Sequence, residues 1–101
     1  MLFRVSKDGA NVNVRLEGQL NFASNEDFHS LLSEVMQMGS SRITFDMSGL
    51  SHIDSVGLGL LYIAKEDLNS VGASLCLASP KDNVFRLLEL TEANKTFEIK
   101  L

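Results

Sequence analysis

Ser55 is the hydroxyl of this chain best placed for chemistry. It follows Asp54, precedes Gly57 and Gly59, and stands where the alternating Ile43, Phe45 and Met47 give way, across a short polar stretch, to a run that is apolar at helical spacing. The pattern reads as a strand, a loop and a helix start. At a helix start, unpaired backbone N–H groups and the positive end of the helix dipole meet anions. Asp54 and Ser55 are both good N-cap residues. Ser55 is therefore either a helix cap or a chemical switch, and spacing alone favours the cap.

The other reactive side chains do not assemble around it. His29 falls among the polar positions of a helix and reads as a surface residue, while His52 reads as a loop histidine. Nucleophilic catalysis would pair Ser55 with His52, yet three residues across a turn match no triad geometry and no oxyanion donors are evident. Gly57-Leu58-Gly59 is too short and too apolar to cradle a phosphate, and its small residues suit a helix approaching a sheet. Cys76 lies in an apolar strand as a small inert hydrophobe. A lone cysteine excludes an internal disulfide and a cysteine metal cluster. The chain is expected to be no enzyme, with no metal and no cofactor.

With 101 residues, 45% of them hydrophobic, the chain has the length of one domain with one core, residues 1–101. Net charge −4 argues against a nucleic-acid partner. Between residues 17 and 64 the acids Glu17, Glu26, Asp27, Glu34, Asp46 and Asp54 face one base, Arg42, so a partner docking there should bring Lys or Arg. There is no apolar run of membrane-spanning length and no basic leader before an apolar stretch, so a cytoplasmic protein without membrane insertion is expected. Nothing in the pattern demands a dimer, and a monomer is expected.

The elements that must position Ser55 follow from periodicity. Residues 2–6 and 12–16 read as an antiparallel hairpin turning at Lys7-Asp8-Gly9-Ala10, and residues 18–22 as a loop. Ser24-Asn25-Glu26-Asp27 has the form of a capping box before Phe28, Leu31, Leu32, Val35 and Met36, one helix face that Gly39 ends. A strand at 42–47 precedes a helix from about Ser55 to Asn69, with Val56, Leu60, Ile63 and Ala64 on its core side, widened by Leu58, Leu61 and Leu68, and Gly72 beyond its end. Ser74-Leu75-Cys76-Leu77-Ala78 reads as a strand buried on both faces. Ser79-Pro80-Lys81-Asp82 opens a third helix with Pro in its first position, its core side Val84, Leu87, Leu88 and Phe85. Phe97, Ile99 and Leu101 mark a last edge strand. The order ββαβαβαβ predicts an α/β domain with a mixed, mostly parallel sheet, an antiparallel N-terminal edge and helices packed on it.

Residues 43–50 (Ile-Thr-Phe-Asp-Met-Ser-Gly-Leu) and 53–59 (Ile-Asp-Ser-Val-Gly-Leu-Gly) resemble the signature of the STAS family, the sulfate transporter and anti-sigma-factor antagonist domains. The small bacterial anti-sigma-factor antagonists are the members the chain resembles in particular. Gly18-Gln19-Leu20, Ala78-Ser79-Pro80 and Val84-Phe85-Arg86-Leu87-Leu88 are similar to the family's other landmarks, so the resemblance covers nearly the whole chain. It implies that Ser55 is phosphorylated by a partner serine kinase that doubles as an anti-sigma factor, and dephosphorylated by a PP2C-type phosphatase. One position departs: the family often has Asp where this chain has Asn21, which keeps hydrogen bonding and loses the charge.

On this reading Asn21, Asp54, Ser55, Val56, Gly57 and Leu58 form a partner-docking face, with Val56 and Gly57 allowing close approach, and helix-start N–H groups holding the phosphate. A rival reading keeps the fold and drops the switch: a constitutive subunit of a transport complex, in which Ser55 is only a cap.

Overall fold

A computed structural model describes residues 1–101. Val12, Val14 and Leu16 alternate with Asn11, Asn13 and Arg15, and the first set is buried while the second is exposed. That alternation makes β2 (Asn11–Leu20) a one-sided strand, and β1 (Leu2–Asp8) returns against it as the expected antiparallel hairpin. Then come α1 (Asn25–Gln37), β3 (Arg42–Ile53), α2 (Ser55–Ser70), β4 (Ser74–Ala78), α3 (Asp82–Leu90) and β5 (Glu98–Lys100). The sheet runs β1-β2-β3-β4-β5, antiparallel at the first pair and parallel at the rest.

Strand order here equals chain order. Each parallel crossover steps the same way across the sheet, and crossovers are right-handed, so α1, α2 and α3 all fall on one face. Beneath them lies the core of Phe28, Leu31, Ile43, Phe45, Leu61, Leu68 and Leu77, where Phe28 meets Phe45 edge-on at 6.0 Å. The other face stays open and polar, with Arg15, Asp46, Arg42 and Glu98 in ion pairs across the strands. Because the order never reverses, the sheet has no switch-point crevice, the usual ligand site of open α/β sheets.

Several elements differ from their sequence reading. Residues 18–20 extend β2 and residues 48–53 extend β3 instead of looping, because the two stretches pair with each other, Glu17 with Gly49 through Leu20 with Ile53, with one register shift just before Glu17 and another between Gly18 and Gln19. Polar residues and glycines disguised this pairing, which the register shifts accommodate. Ser24 does not cap α1 with its side chain. The capping box sits one turn earlier, between Asn21 and Ser24 of a short 3₁₀ helix, Phe22–Ser24, which consumes the Ser24 hydroxyl.

In α2 the buried residues are Gly57, Leu58, Leu60, Leu61, Ala64 and Leu68, whereas Val56 and Ile63 face outward at 43% and 41% exposure. Gly57 explains the rotation: a side chain there would run into the Leu20 carbonyl oxygen, so its bare backbone lets this edge of the helix press on β2. Helix α3 starts at Asp82, two residues after Pro80, with Lys81 in the cap position and no side-chain cap bond. Left-handed Ser79 and Asp82 bracket Pro80 and delay the helix. Gly39 and Gly72 end the first two helices in the left-handed region as expected.

Strand β4 is covered on its helix face. On the open face Ser74 is exposed and Cys76 is the buried residue, beside the Arg42–Glu98 pair. Burial pushes the Cys76 thiol above its ordinary pKa, helped by the Glu98 carboxylate. The same pairing with Arg42 holds Glu98 below the usual carboxylate range.

Candidate functional site

The overhang of β2 and β3 builds the site. Pairing of β3 with β4 ends at Asp46 opposite Ala78, and residues 47–53 continue with β2 alone. Where pairing with β4 stops, the Asp46 carboxylate turns back to accept the Ser48 N–H at 3.0 Å. Partial burial pulls the Asp46 pKa upward, but the Ser48 bonds, Arg15 and Lys81 outweigh it and hold the carboxyl below its ordinary value.

The ribbon's last pair, Leu20 with Ile53, delivers Asn21 and Asp54 side by side, and the Asp54 N–H donates to the Leu20 carbonyl at 3.4 Å. Each caps the helical turn that begins immediately after it. The Asn21 amide oxygen accepts from the Ala23 N–H at 3.0 Å while its amide nitrogen donates to the Gln19 side-chain oxygen at 3.2 Å. The Asp54 carboxylate accepts from the Gly57 N–H at 2.8 Å, and its carbonyl takes the Leu58 N–H at 2.9 Å.

Ser55 is the first residue of α2, is exposed, and makes no side-chain hydrogen bond within the chain. This corrects the cap reading: Asp54, with extended backbone, fills the cap and leaves the Ser55 hydroxyl free. It also narrows the expected anion site, because one of the helix-start N–H groups is already taken by a carboxylate.

The expected docking residues divide. Val56 is exposed beside Ser55, and Phe22, at the end of a stretch that reads as a loop in sequence, stands 75% exposed in the 3₁₀ turn next to Asn21. Gly57 and Leu58 are buried in the packing of α2. Gly59 is the bare one: a side chain there would meet nothing within 4 Å. Val56, Gly59 and Ile63 therefore form an apolar, shallow face running along α2 from Ser55.

Glu26 and Asp27 open α1 just past the 3₁₀ turn, and Arg42 sits at the far end of β3, paired with Glu98. Asp27 meets the Met1 amino group at 3.8 Å, while Glu26 and Asp54 have no ion-pair partner. His52 is exposed on the ribbon opposite Gln19, and His29 is exposed on α1. The signal that could have found Phe22 was present: an aromatic following a capping Asn in a stretch too short to bury it.

The STAS domain family model matches residues 4–101. The chain is 28% identical over 78 residues to the anti-sigma-B factor antagonist of Staphylococcus aureus, covering 77% of this chain and 72% of that protein. A putative anti-sigma factor antagonist from Thermotoga maritima has a similar structure, with TM-score 0.88 and 24% identity over 98% of this chain and 86% of that one. So has the Bacillus cell fate determinant SpoIIAA in its phosphorylated form, with TM-score 0.72 and 20% identity, covering 99% and 92%. A sulfate transporter family protein from Wolinella succinogenes aligns with TM-score 0.79 and 16% identity, covering 92% and 78%. At these identities the structural matches speak for the fold.

Proposed function

The chain belongs to the STAS domain family, and from that premise we propose that it is an anti-sigma-factor antagonist-like partner-switching regulator gated by phosphorylation of Ser55. The observation that carries this reading is the free, exposed Ser55 hydroxyl on a helix whose cap is already supplied by Asp54. A hydroxyl with no duty in the fold can be modified without unfolding the helix it starts. The relatedness to an anti-sigma-B factor antagonist, and the fold shared with a phosphorylated SpoIIAA, support the class.

In the unmodified state the patch of Phe22, Val56, Gly59 and Ile63 docks a kinase of the anti-sigma-factor type, which brings basic side chains to the acids at this end. Phosphate adds about −1.5 to −2 charges. Asp54 stands next to it, and the stretch from residue 43 to residue 64 holds no Lys or Arg. The dianion stays on the surface and spoils a pocket shaped for a hydroxyl. A hundredfold loss of affinity requires only about 2.7 kcal/mol. A PP2C-type phosphatase resets the switch. The module itself has no catalytic role and uses no cofactor.

Tagged wild type, Ser55→Ala and Ser55→Glu, used as baits in the native host, test this. A kinase-like ATPase retained by Ser55→Ala and lost with Ser55→Glu is the expected result. If all three baits hold the same membrane-transport components, the chain is instead a constitutive transport subunit, the reading that the Wolinella neighbour keeps in play.

A further inference from the structure

The two edges of the sheet are finished differently. At the β1 edge, Lys7 reaches over to donate to the Met38 carbonyl at 3.1 Å, and Arg4 lies opposite Arg15, so charges guard the strand against a further partner. The β5 edge is only three residues long and carries one exposed charge of each sign, Glu98 and Lys100. The Lys100 carbonyl accepts from the Ser79 N–H at 2.7 Å, so Lys100 turns its backbone toward β4, and strand alternation turns the N–H and C=O of Ile99 outward. Alongside lies an open groove of about 230 Å³ lined by Phe85, Leu88, Glu89, Asn94, Ile99 and Leu101, and Leu101 is 81% exposed.

The sequence of this edge is self-complementary. If two copies meet antiparallel about a two-fold axis at Ile99, the Ile99 residues exchange both backbone hydrogen bonds. Glu98 of each copy then falls opposite Lys100 of the other, in the non-hydrogen-bonded positions where cross-strand side chains lie closest, so that the carboxylate Arg42 holds at 2.7 Å is shared with the partner's lysine. Glu98 and Lys100 share the open polar face, and Ile99 and Leu101 share the face of the groove. We infer that the β5 edge is a docking surface for a second copy of this chain, joining two sheets into one of ten strands. Leu101 of each copy covers apolar surface of the other. The pairing leaves Ser55, on the β2–β3 overhang, outside the interface. The monomer expected from the sequence is thus the dilute state. Stable interfaces bury about 1,200–2,000 Å² in total, more than a three-residue edge supplies, so the dimer is weak and concentration-dependent.

Sedimentation velocity on the full chain tests this together with charge exchange. The weight-average mass of wild type is expected to climb from 11.1 kDa toward twice that value between about 5 and 500 μM. Glu98→Lys and Lys100→Glu each place like charges opposite one another and weaken self-association roughly tenfold or more. An equal mixture of the two variants restores opposite charges at both cross-strand pairs and recovers the dimer. Both positions are exposed, and circular dichroism melts check that each variant is folded. A wild type that stays at one mass throughout, single variants that self-associate like wild type, or a mixture that does not recover would each overturn the proposal.

Discussion

Alanine at Gly57 and alanine at Gly59 should change stability in opposite directions. The two positions are separated by one residue of the same helix. At Gly57 the added methyl overlaps the Leu20 carbonyl oxygen and lies 3.0 Å from the Ile53 side chain. The oxygen is backbone, held in the ribbon that carries Asn21 and Asp54, so relief requires α2 to lift from β2. Overpacking of this kind costs about 1–3 kcal/mol, less the roughly 0.5–1 kcal/mol by which Ala improves a helix interior. A net loss near 1–2 kcal/mol lowers Tm by several degrees at this chain length, taking about 4–8 °C per kcal/mol. At Gly59 the methyl meets nothing, so only the helix gain remains and Tm rises by a few degrees. Urea unfolding monitored by far-ultraviolet circular dichroism, with equal slopes for the three proteins, reads both numbers. If Gly57→Ala is as stable as wild type, the account of how α2 is seated on β2 is wrong. If Gly59→Ala is stabilised but binds the kinase-like partner less well, the bare helix face is a contact surface, and its glycine is kept at a cost to the fold.

The remaining expectations concern the caps, the open face and the thiol. Asp54→Ala removes the acceptor of the Gly57 N–H and should cost about 1 kcal/mol, whereas Ser55→Ala should stay within about 0.5 kcal/mol of wild type in the same unfolding assay; equal losses would return the cap to Ser55. Asn21→Asp keeps the acceptor used by the Ala23 N–H and gives up the donation to Gln19, so stability should shift by no more than about 0.5 kcal/mol, while titration calorimetry should show the affinity for a cationic partner changed. The Asp46 carboxyl is held below its ordinary value of 3.8, so its stabilising contribution is present above that pH and is lost as pH falls through the lower folded value. Wild type should therefore exceed Asp46→Asn in stability at neutral pH, and the gap should shrink as pH falls below 3.8; a gap that does not change with acidification would contradict this. Cys76, buried and raised in pKa, should react with iodoacetamide at neutral pH far more slowly than in the urea-unfolded chain.

Periodicity exposed most of this fold, and it failed at places with a shared cause. Phe28, Leu31, Leu32 and Val35 announced α1, and the alternations of β2 and β3 announced their strands, because each pattern records a single buried face. Residues 48–53 hid their strand because an overhanging ribbon has little to bury on its open side, so Ser48, Ser51 and His52 look like a loop. Asp54 and Ser55 both satisfy the statistics of caps, and only the backbone conformation separates the residue that caps from the one left free. Val56 and Ile63 read as core in sequence because apolarity marks a surface that avoids water without saying what covers it. Gly57 and Gly59 look alike in sequence, and only the position of the Leu20 carbonyl distinguishes the glycine required by packing from the one that packing does not need.

The agreement of strand order with chain order sets a timetable as well as a shape. Each new strand docks beside the one made just before it, so no strand of the parallel run waits for a partner more than one crossover away. Asn21, the Asp54 cap and Ser55 all come from the first 70 residues, ahead of β4 in synthesis. The last third of the chain therefore acts as a buttress raised after the working end has been laid out. Substitutions there should alter how much protein survives in the cell more than what the surviving protein recognises.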